Sequence, residues 1–512
     1  MTTDIRHRTL DRGTLFACCL AVAIAQMCIT IPSPLNGAIS TAFGASGSQI
    51  AWVTSGFILP TAILELNFGV VGDLFGRKRL LVIGGVILAV GETVNATAQS
   101  VHWLWAGQAI AGVGAAALFP STLAVISAAT PHSGDRAKAL STWALSISLA
   151  SALGPLISGG LAQLGDFRYA FIPPAVIGVV AALAAAFLCT DSKAPEGRSL
   201  DWPGQITIAV ALFALLWGVI EGSSVGWTAA PVLLAFVVAA VFLVAFVVVE
   251  LRAASPMMNL SLLKIPSFAG AAGIALVGMF GFIGTAYCVS IRLGVVMHLS
   301  PLRTALPFVI LQLIPLLLAP FLSKLLSQTN ARWMLVSGLV PLAVAQFWLA
   351  EVPITTTSLL AYLGPVLLMG IGFIFVVTSL TAAAVNAVPI RLTGMASGAT
   401  SLVREFGQAL GPAIVSSIVI SLASSELSGK LTGVAAKVNA DGGPLAVVSV
   451  PATGASAQSA AQSALAHGLT VGIVVCGIAS LIGAAITVLV VKPNASRVTA
   501  EAVPMATGEL AP

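Results

Sequence analysis

Long apolar runs, interrupted by short polar segments, dominate this chain of 512 residues. A helix needs about 20 apolar residues to cross the hydrocarbon core of a bilayer. By that ruler fourteen runs qualify, near 14–35, 48–70, 80–98, 103–128, 138–163, 169–190, 204–221, 229–250, 267–290, 304–323, 333–350, 357–385, 394–425 and 467–491. Each is predicted to be an α-helix, because lipid offers no partner to an exposed backbone N–H or C=O. Two polar intervals stand out. Residues 191–203 separate the first six runs from the rest, and residues 426–466, rich in Ser, Gly and Ala, are expected to form a poorly ordered loop before the last run. The predicted architecture is an all-α polytopic membrane protein. It has a six-helix bundle over 1–190, a linker with two inserted helices over 191–266, a second six-helix bundle over 267–492, and a polar tail over 493–512.

Composition agrees with this pattern. Apolar residues make up 58% of the chain and charged residues 8%, against about 25% charged in a soluble domain. A mean hydropathy of +1.03 leaves too little charge to build a water-facing surface. The formal charge of +5 would suggest a nucleic-acid partner in a soluble protein. Here its distribution argues otherwise. Of the 23 Lys and Arg residues, seventeen fall in every second loop or at the termini, five in the opposite loops, and Arg404 inside a run. Positive charge collects on the cytoplasmic side, so both termini are expected there and no nucleic acid is implicated. Arg6, Arg8 and Arg12 ahead of Ala23-Ile24-Ala25 imitate a signal peptide. The run continues to Pro32 and Pro34, however, and the charge alternation needs it as a span.

The chemistry-bearing residues exclude several classes. The six cysteines lie in apolar stretches without metal-ligand or paired spacing, and His7, His102, His132, His298 and His467 are scattered. No G-x-x-x-x-G-K-[ST] run is present to hold a nucleotide, and no segment is long enough for a soluble catalytic domain. The chain is therefore expected to be neither an enzyme nor a metal or cofactor protein.

Between the second and third spans stands Gly69-Val-Val-Gly-Asp73-Leu-Phe-Gly76-Arg77-Lys78-Arg79. Glycines allow a tight turn and close helix approach, and the three bases hold that turn in the cytoplasm. Asp73 is placed to face a neighbouring helix end or an arginine of the other half. Span 5 carries Gly154-Pro155-Leu-Ile-Ser158-Gly159-Gly160, a flat glycine face with a proline that removes one backbone bond. Span 6 is entered through Asp166-Phe167-Arg168-Tyr169-Ala170-Phe171, and span 13 through Gly394-Met-Ala396-Ser397-Gly398, followed by Arg404, Gly407 and Gly411.

The loop run resembles the signature of the major facilitator superfamily, and the other three elements are similar to its fourteen-helix drug:proton antiporter branch. The resemblance covers the whole chain. It implies two pseudo-symmetric bundles rocking about a midplane site. It also implies export of hydrophobic or amphipathic small molecules by proton antiport, with the proton motive force as the energy source, by a monomeric carrier in a bacterial inner membrane. The chain also departs from that branch. Met27 stands where the branch places an acid in span 1, and Gln108 where it places a proton-linked arginine in span 4. These departures leave two alternatives open: an exporter of one endogenous metabolite, lipid or antibiotic with atypical or absent coupling, or a transport-inactive sensor.

Two embedded acids are candidates for coupling. Glu65 lies eight residues before Asp73, about 12 Å along a helix. Glu92 lies twelve residues beyond Leu80, about 18 Å deep by the same rise. A charge at mid-membrane costs roughly 2.5–3.5 kcal/mol on insertion scales, so such residues face the bundle interior or a cavity. Hydrogen bonding to Asn67, Asn95 or Gln108 is the structural alternative for both. Candidate cavity residues are Phe57, Asn67, Asn95, Gln108 and Gln312, with Phe119, Phe280 and Phe282 as further aromatic surface. Arg292 is expected to snorkel to the interface, with attraction of an anion as the other reading.

Overall fold

A computed structural model describes residues 11–491 apart from 131–132, 194–198, 254–255, 355, 357 and 389–392. The expected tail over 493–512 lies outside the described residues. Among the described residues no strand occurs. The first half comprises α1 (Arg12–Thr30), α2 (Asn36–Phe43), α3 (Gly47–Phe75), α4 (Arg77–Ala96), α5 (Val101–Ala129), α6 (Ser133–Ala162) and α7 (Ile172–Leu188). An inserted hairpin follows, α8 (Trp202–Val225) and α9 (Ala230–Arg252). The second half comprises α10 (Pro266–Ile291), α11 (Pro301–Gln328), α12 (Ala331–Glu351), α13 (Leu360–Asn386), α14 (Thr393–Leu427), α15 (Gly433–Ser449) and α16 (Ala455–Val490). Fourteen helices, all but α2 and α15, are long and apolar enough to cross a membrane, as the runs predict.

Local chemistry sets the boundaries. Pro32 and Pro34 follow the end of α1, where their missing N–H groups and fixed φ cannot continue a helix. Ser46 and Gln49 cap α3 reciprocally, the Gln49 N–H donating to Ser46 Oγ at 3.3 Å and the Ser46 N–H to Gln49 Oε1 at 2.9 Å. One residue, Gly76, separates α3 from α4, and its φ of 114° is accessible to glycine at little cost.

The halves meet along two helix pairs, α3 with α14 and α6 with α11, while α8 lies against both α3 and α14. The α3–α14 pair is antiparallel. Gly47 faces Ile420, the Ser55 hydroxyl donates to the Ala409 carbonyl at 3.4 Å, and Gly398 faces Leu66. At the end of the molecule remote from Asp73 the halves are tightly closed. A Cβ on Gly37 would lie 2.3 Å from the Gly294 carbonyl oxygen, so backbone touches backbone across the seam. Asn36 Nδ2 donates to Ser290 Oγ at 2.9 Å, the Ser290 hydroxyl donates to the Ser33 carbonyl, and Tyr287 donates to the Gly47 carbonyl at 3.4 Å. Gly294 stands in a π-helical turn, Arg292–Val296. Such turns occur mostly singly and often at functional sites.

The structure corrects two expectations. Residues 426–466 are not a poorly ordered loop. They contain the end of α14, all of α15 and the first turns of α16. Leu445, Ala446, Val447 and Val448 are buried, and Ser449 Oγ lies 2.9 Å from Ser40 Oγ of the first half. The small residues that suggested disorder allow this close packing. Arg292 does not snorkel. It is 3% exposed and donates to the Leu349 carbonyl at 3.2 Å and to that of Val352, with its guanidinium 5.5 Å from the centre of the Tyr362 ring. The cation therefore caps the carbonyl end of α12, where the helix dipole is negative.

Candidate functional site

The loop signature closes a one-residue hairpin. Asp73 occupies the last turn of α3 and Arg77 the first of α4. Arg77 Nη2 and Nε donate to Asp73 Oδ1 at 2.7 and 3.0 Å, and Nη1 reaches the Ala124 carbonyl of α5 at 3.4 Å. Asp73 thus pairs with an arginine of its own hairpin. Gly69 lies beside Pro120 of α5, and Gly76 beside the Asp191 carboxylate. Lys78 is half-buried and Arg79 is exposed.

The span 5 element reaches in two directions from α6. A Cβ on Gly154 would sit 2.2 Å from Thr30 Oγ1 of α1, within the same half. A Cβ on Gly159 would sit 2.8 Å from both the Pro301 carbonyl oxygen and Ala305 Cβ of α11, in the other half. Pro155 lines the cavity between the halves, and Ser158 is buried, donating to the Pro155 carbonyl at 3.2 Å. In α14, Gly407 packs on the Leu276 carbonyl and Gly411 on Gly284, so both seat α14 on α10 within one half.

The two acids have different surroundings. Glu92 is fully buried. Its Oε2 accepts from Asn95 Nδ2 at 3.3 Å, the Cys28 thiol lies beside it, and Oε1 has no partner. Glu65 retains partial exposure. It lies within electrostatic reach of Arg404 and Glu405 of the other half, at the level fixed by the neighbouring Leu66–Gly398 contact. Arg404 in turn donates to Glu405 Oε1 from Nε at 3.2 Å and Nη2 at 2.9 Å. Two carboxylates and one guanidinium therefore share the α3–α14 seam.

A cavity of about 50 Å³ lies between the halves. That is room for water and well below the roughly 300–1,000 Å³ of a small-molecule pocket, so a drug-sized occupant requires the halves to move apart. Gln312 lines it. Phe57, Asn67, Asn95 and Gln108 do not; all four are buried. Phe57 sits where Thr61 Oγ1 donates to both the Phe57 and Gly112 carbonyls, at 2.9 and 3.0 Å, joining α3 to α5. Asn95 faces Gly107, and both amide atoms of Gln108 lack partners. Sequence reasoning missed Thr30, Ser33, Asn36 and Thr54, which line the cavity with Tyr287 and Ser290. The three-residue spacing of Thr30, Ser33 and Asn36 was a legible signal of one polar face. It was obscured because Pro32 and Pro34 interrupt the helix within it.

Beside this geometry stands a match of the sequence to a known family. The model of the Major Facilitator Superfamily matches residues 18–412. The chain belongs to the Major Facilitator Superfamily. Among its relatives is the multidrug resistance protein Stp of Mycobacterium tuberculosis, 29% identical over 73% of this chain and 69% of that protein. The tetracenomycin C resistance and export protein of Streptomyces glaucescens is 28% identical over 78% of this chain and 75% of its own length. The multidrug efflux pump LfrA of Mycolicibacterium smegmatis is 28% identical over 77% of each. A bacterial homologue of the human lysosomal transporter Spinster, solved inward-facing and unoccupied, shares the fold. Its TM-score is 0.65 at 16% identity, over 93% of this chain and 96% of that one. The superfamily consists of membrane transporters, not enzymes.

Proposed function

We propose that this protein is a secondary active exporter of hydrophobic or amphipathic drug-like molecules, working by alternating access with protons as counter-ions. It acts in a bacterial cell membrane with both termini in the cytoplasm. Relatives named for multidrug efflux and antibiotic export support the cargo class. The observation that carries the coupling is the grouping of Glu65, Arg404 and Glu405 on facing helices of the two halves. Moving one half against the other changes the distance between these charges, and in a low-dielectric seam such changes are strongly felt. Glu65 takes up and releases the proton as α3 and α14 separate and close. Glu92 lies within one half, and its role in this reading is to hold α4 against α1 through the Cys28 thiol.

The charge asymmetry of the loops supports placing the Asp73 end in the cytoplasm. The tight closure at the α15 end then corresponds to a carrier shut towards the outside. In this reading the chain acts as a monomer with the proton motive force as its energy source.

Inverted membrane vesicles test the reading. A transported compound should collapse a preformed ΔpH in wild-type vesicles and fail to do so in Glu65→Gln vesicles. Full retention of substrate-driven proton flux in Glu65→Gln would remove Glu65 from the mechanism. A second reading, export of a single antibiotic or metabolite, gains support from Met27 and Gln108 and from the tetracenomycin C relative. Response to one compound alone across a broad panel would select it.

A further inference from the structure

The cavity between the halves is lined mainly by apolar side chains, with a few neutral polar groups and no charge. Among the described residues that line it there is no Asp, Glu, Lys, Arg or His. The two membrane acids lie elsewhere, Glu65 at the seam with Arg404 and Glu405, and Glu92 buried within one half. What faces the cavity is aromatic surface from Phe282, Tyr287 and Phe308, and neutral hydrogen-bonding groups from Asn36, Thr54 and Gln312. Phe282 is itself braced by Phe373, with ring centroids 3.8 Å apart and planes 14° from parallel.

Asn36 carries the unfilled valence. It is 1% exposed, and its Nδ2 is committed to Ser290 across the seam. Its Oδ1 is buried without a partner. A buried acceptor left empty is costly, and a donor that meets it recovers that cost. A cation entering the same space would meet no carboxylate to offset its charge.

We infer that the inter-lobe cavity selects uncharged aromatic molecules bearing a hydroxyl or amide N–H donor, received by Asn36 Oδ1 and Gln312, and discriminates against lipophilic cations. The inference rests on the exporter reading and names its substrate class. Each group has one job. The aromatic residues supply apolar faces for a flat ring system, and Asn36 Oδ1 fixes orientation. Gln312, on a helix of the second half, is a neutral donor and acceptor opposite Asn36 of the first half. A molecule that bridges the two links the lobes.

The test uses the full chain in proteoliposomes with two aromatic probes, a neutral hydroxylated anthraquinone and the cation tetraphenylphosphonium. Binding and substrate-driven collapse of ΔpH are both measured. Wild type should handle the anthraquinone at least tenfold better than the cation, and Asn36→Leu should weaken anthraquinone binding by about tenfold. Gln312→Glu places one carboxylate in the cavity without touching the seam contacts. It should raise tetraphenylphosphonium transport several-fold and lower that of the anthraquinone. Equal handling of both probes by wild type, or preference for the cation, overturns the inference and leaves the exporter reading standing. Unchanged selectivity in Gln312→Glu, with the protein folded and active, also overturns it. Absence of transport and binding for both probes overturns the exporter reading itself, and this inference with it.

Discussion

Glu65 and Glu92 look alike along the chain: single carboxylates inside apolar helices, each with asparagine nearby. In three dimensions they are different kinds of residue. Glu92 is enclosed within one half, in contact with Asn95 and Cys28, and moves with the body that contains it. Glu65 stands where the halves meet, facing a guanidinium and a carboxylate of the opposite half. Depth in the membrane therefore does not make an acid a coupling group. In the proposed mechanism its surroundings change as the halves move, and the place of Glu65 beside the opposite half provides for that. The two ends of the seam extend the contrast. The α15 end is closed by backbone contact between Gly37 and Gly294, while near Glu65 the seam carries the charged pair Arg404 and Glu405.

The comparison is most easily broken at Glu65. Glu65→Gln should reduce substrate-driven proton flux by at least tenfold, and Glu92→Gln should leave it within about twofold. Both are measured as ΔpH collapse in inverted vesicles, normalised to folded protein. Equal losses in the two variants would erase the distinction. Next comes Gly37→Val. Its Cβ cannot occupy a position 2.3 Å from the Gly294 oxygen, so the α15 end should stay open. Thiol labelling of a cysteine introduced at Ser33 from outside should rise several-fold, and transport should fall about tenfold. Glu405→Gln should have an intermediate effect. Releasing Arg404 from its bonds at 2.9 and 3.2 Å lets it favour Glu65, and transport should drop about three- to fivefold. The smallest effect on transport is expected from Gly107→Ala. Its Cβ would meet Asn95 Oδ1 at 2.2 Å and should cost about 1–3 kcal/mol by overpacking. It should lower the unfolding midpoint while transport per folded molecule stays near wild type.

Much of this was legible in the residue order. The fourteen spans follow from run length, and their helices differ from the predicted limits by a few residues at most ends. The exceptions have causes. α3 continues through Asp73 to Phe75 because only Gly76 breaks the helix, which turns an expected loop acid into a last-turn partner for Arg77. The 426–466 segment was misread because its small residues carry no long apolar run; Leu445 to Val448 are buried by packing against neighbouring elements, not by a strong local pattern. Among the expected cavity residues, Gln312 lines the inter-lobe space and Gln108 does not. Both are lone amides in apolar helices, and nothing local distinguishes them.

By itself, then, the order of residues determined that the chain crosses a membrane fourteen times as helices, and which of its few charges are embedded. Those outcomes depend on hydrophobic length and on satisfying backbone groups in lipid, which are properties of one segment at a time. Only the tertiary structure decided which acid faces the opposite half, which amide meets the cavity, and that the α15 end is shut by two glycines. Those outcomes depend on the rotation and register of one helix against another. The apolar stripes here run nearly all the way round each helix, so periodicity along the chain carries almost no record of which face turns inward.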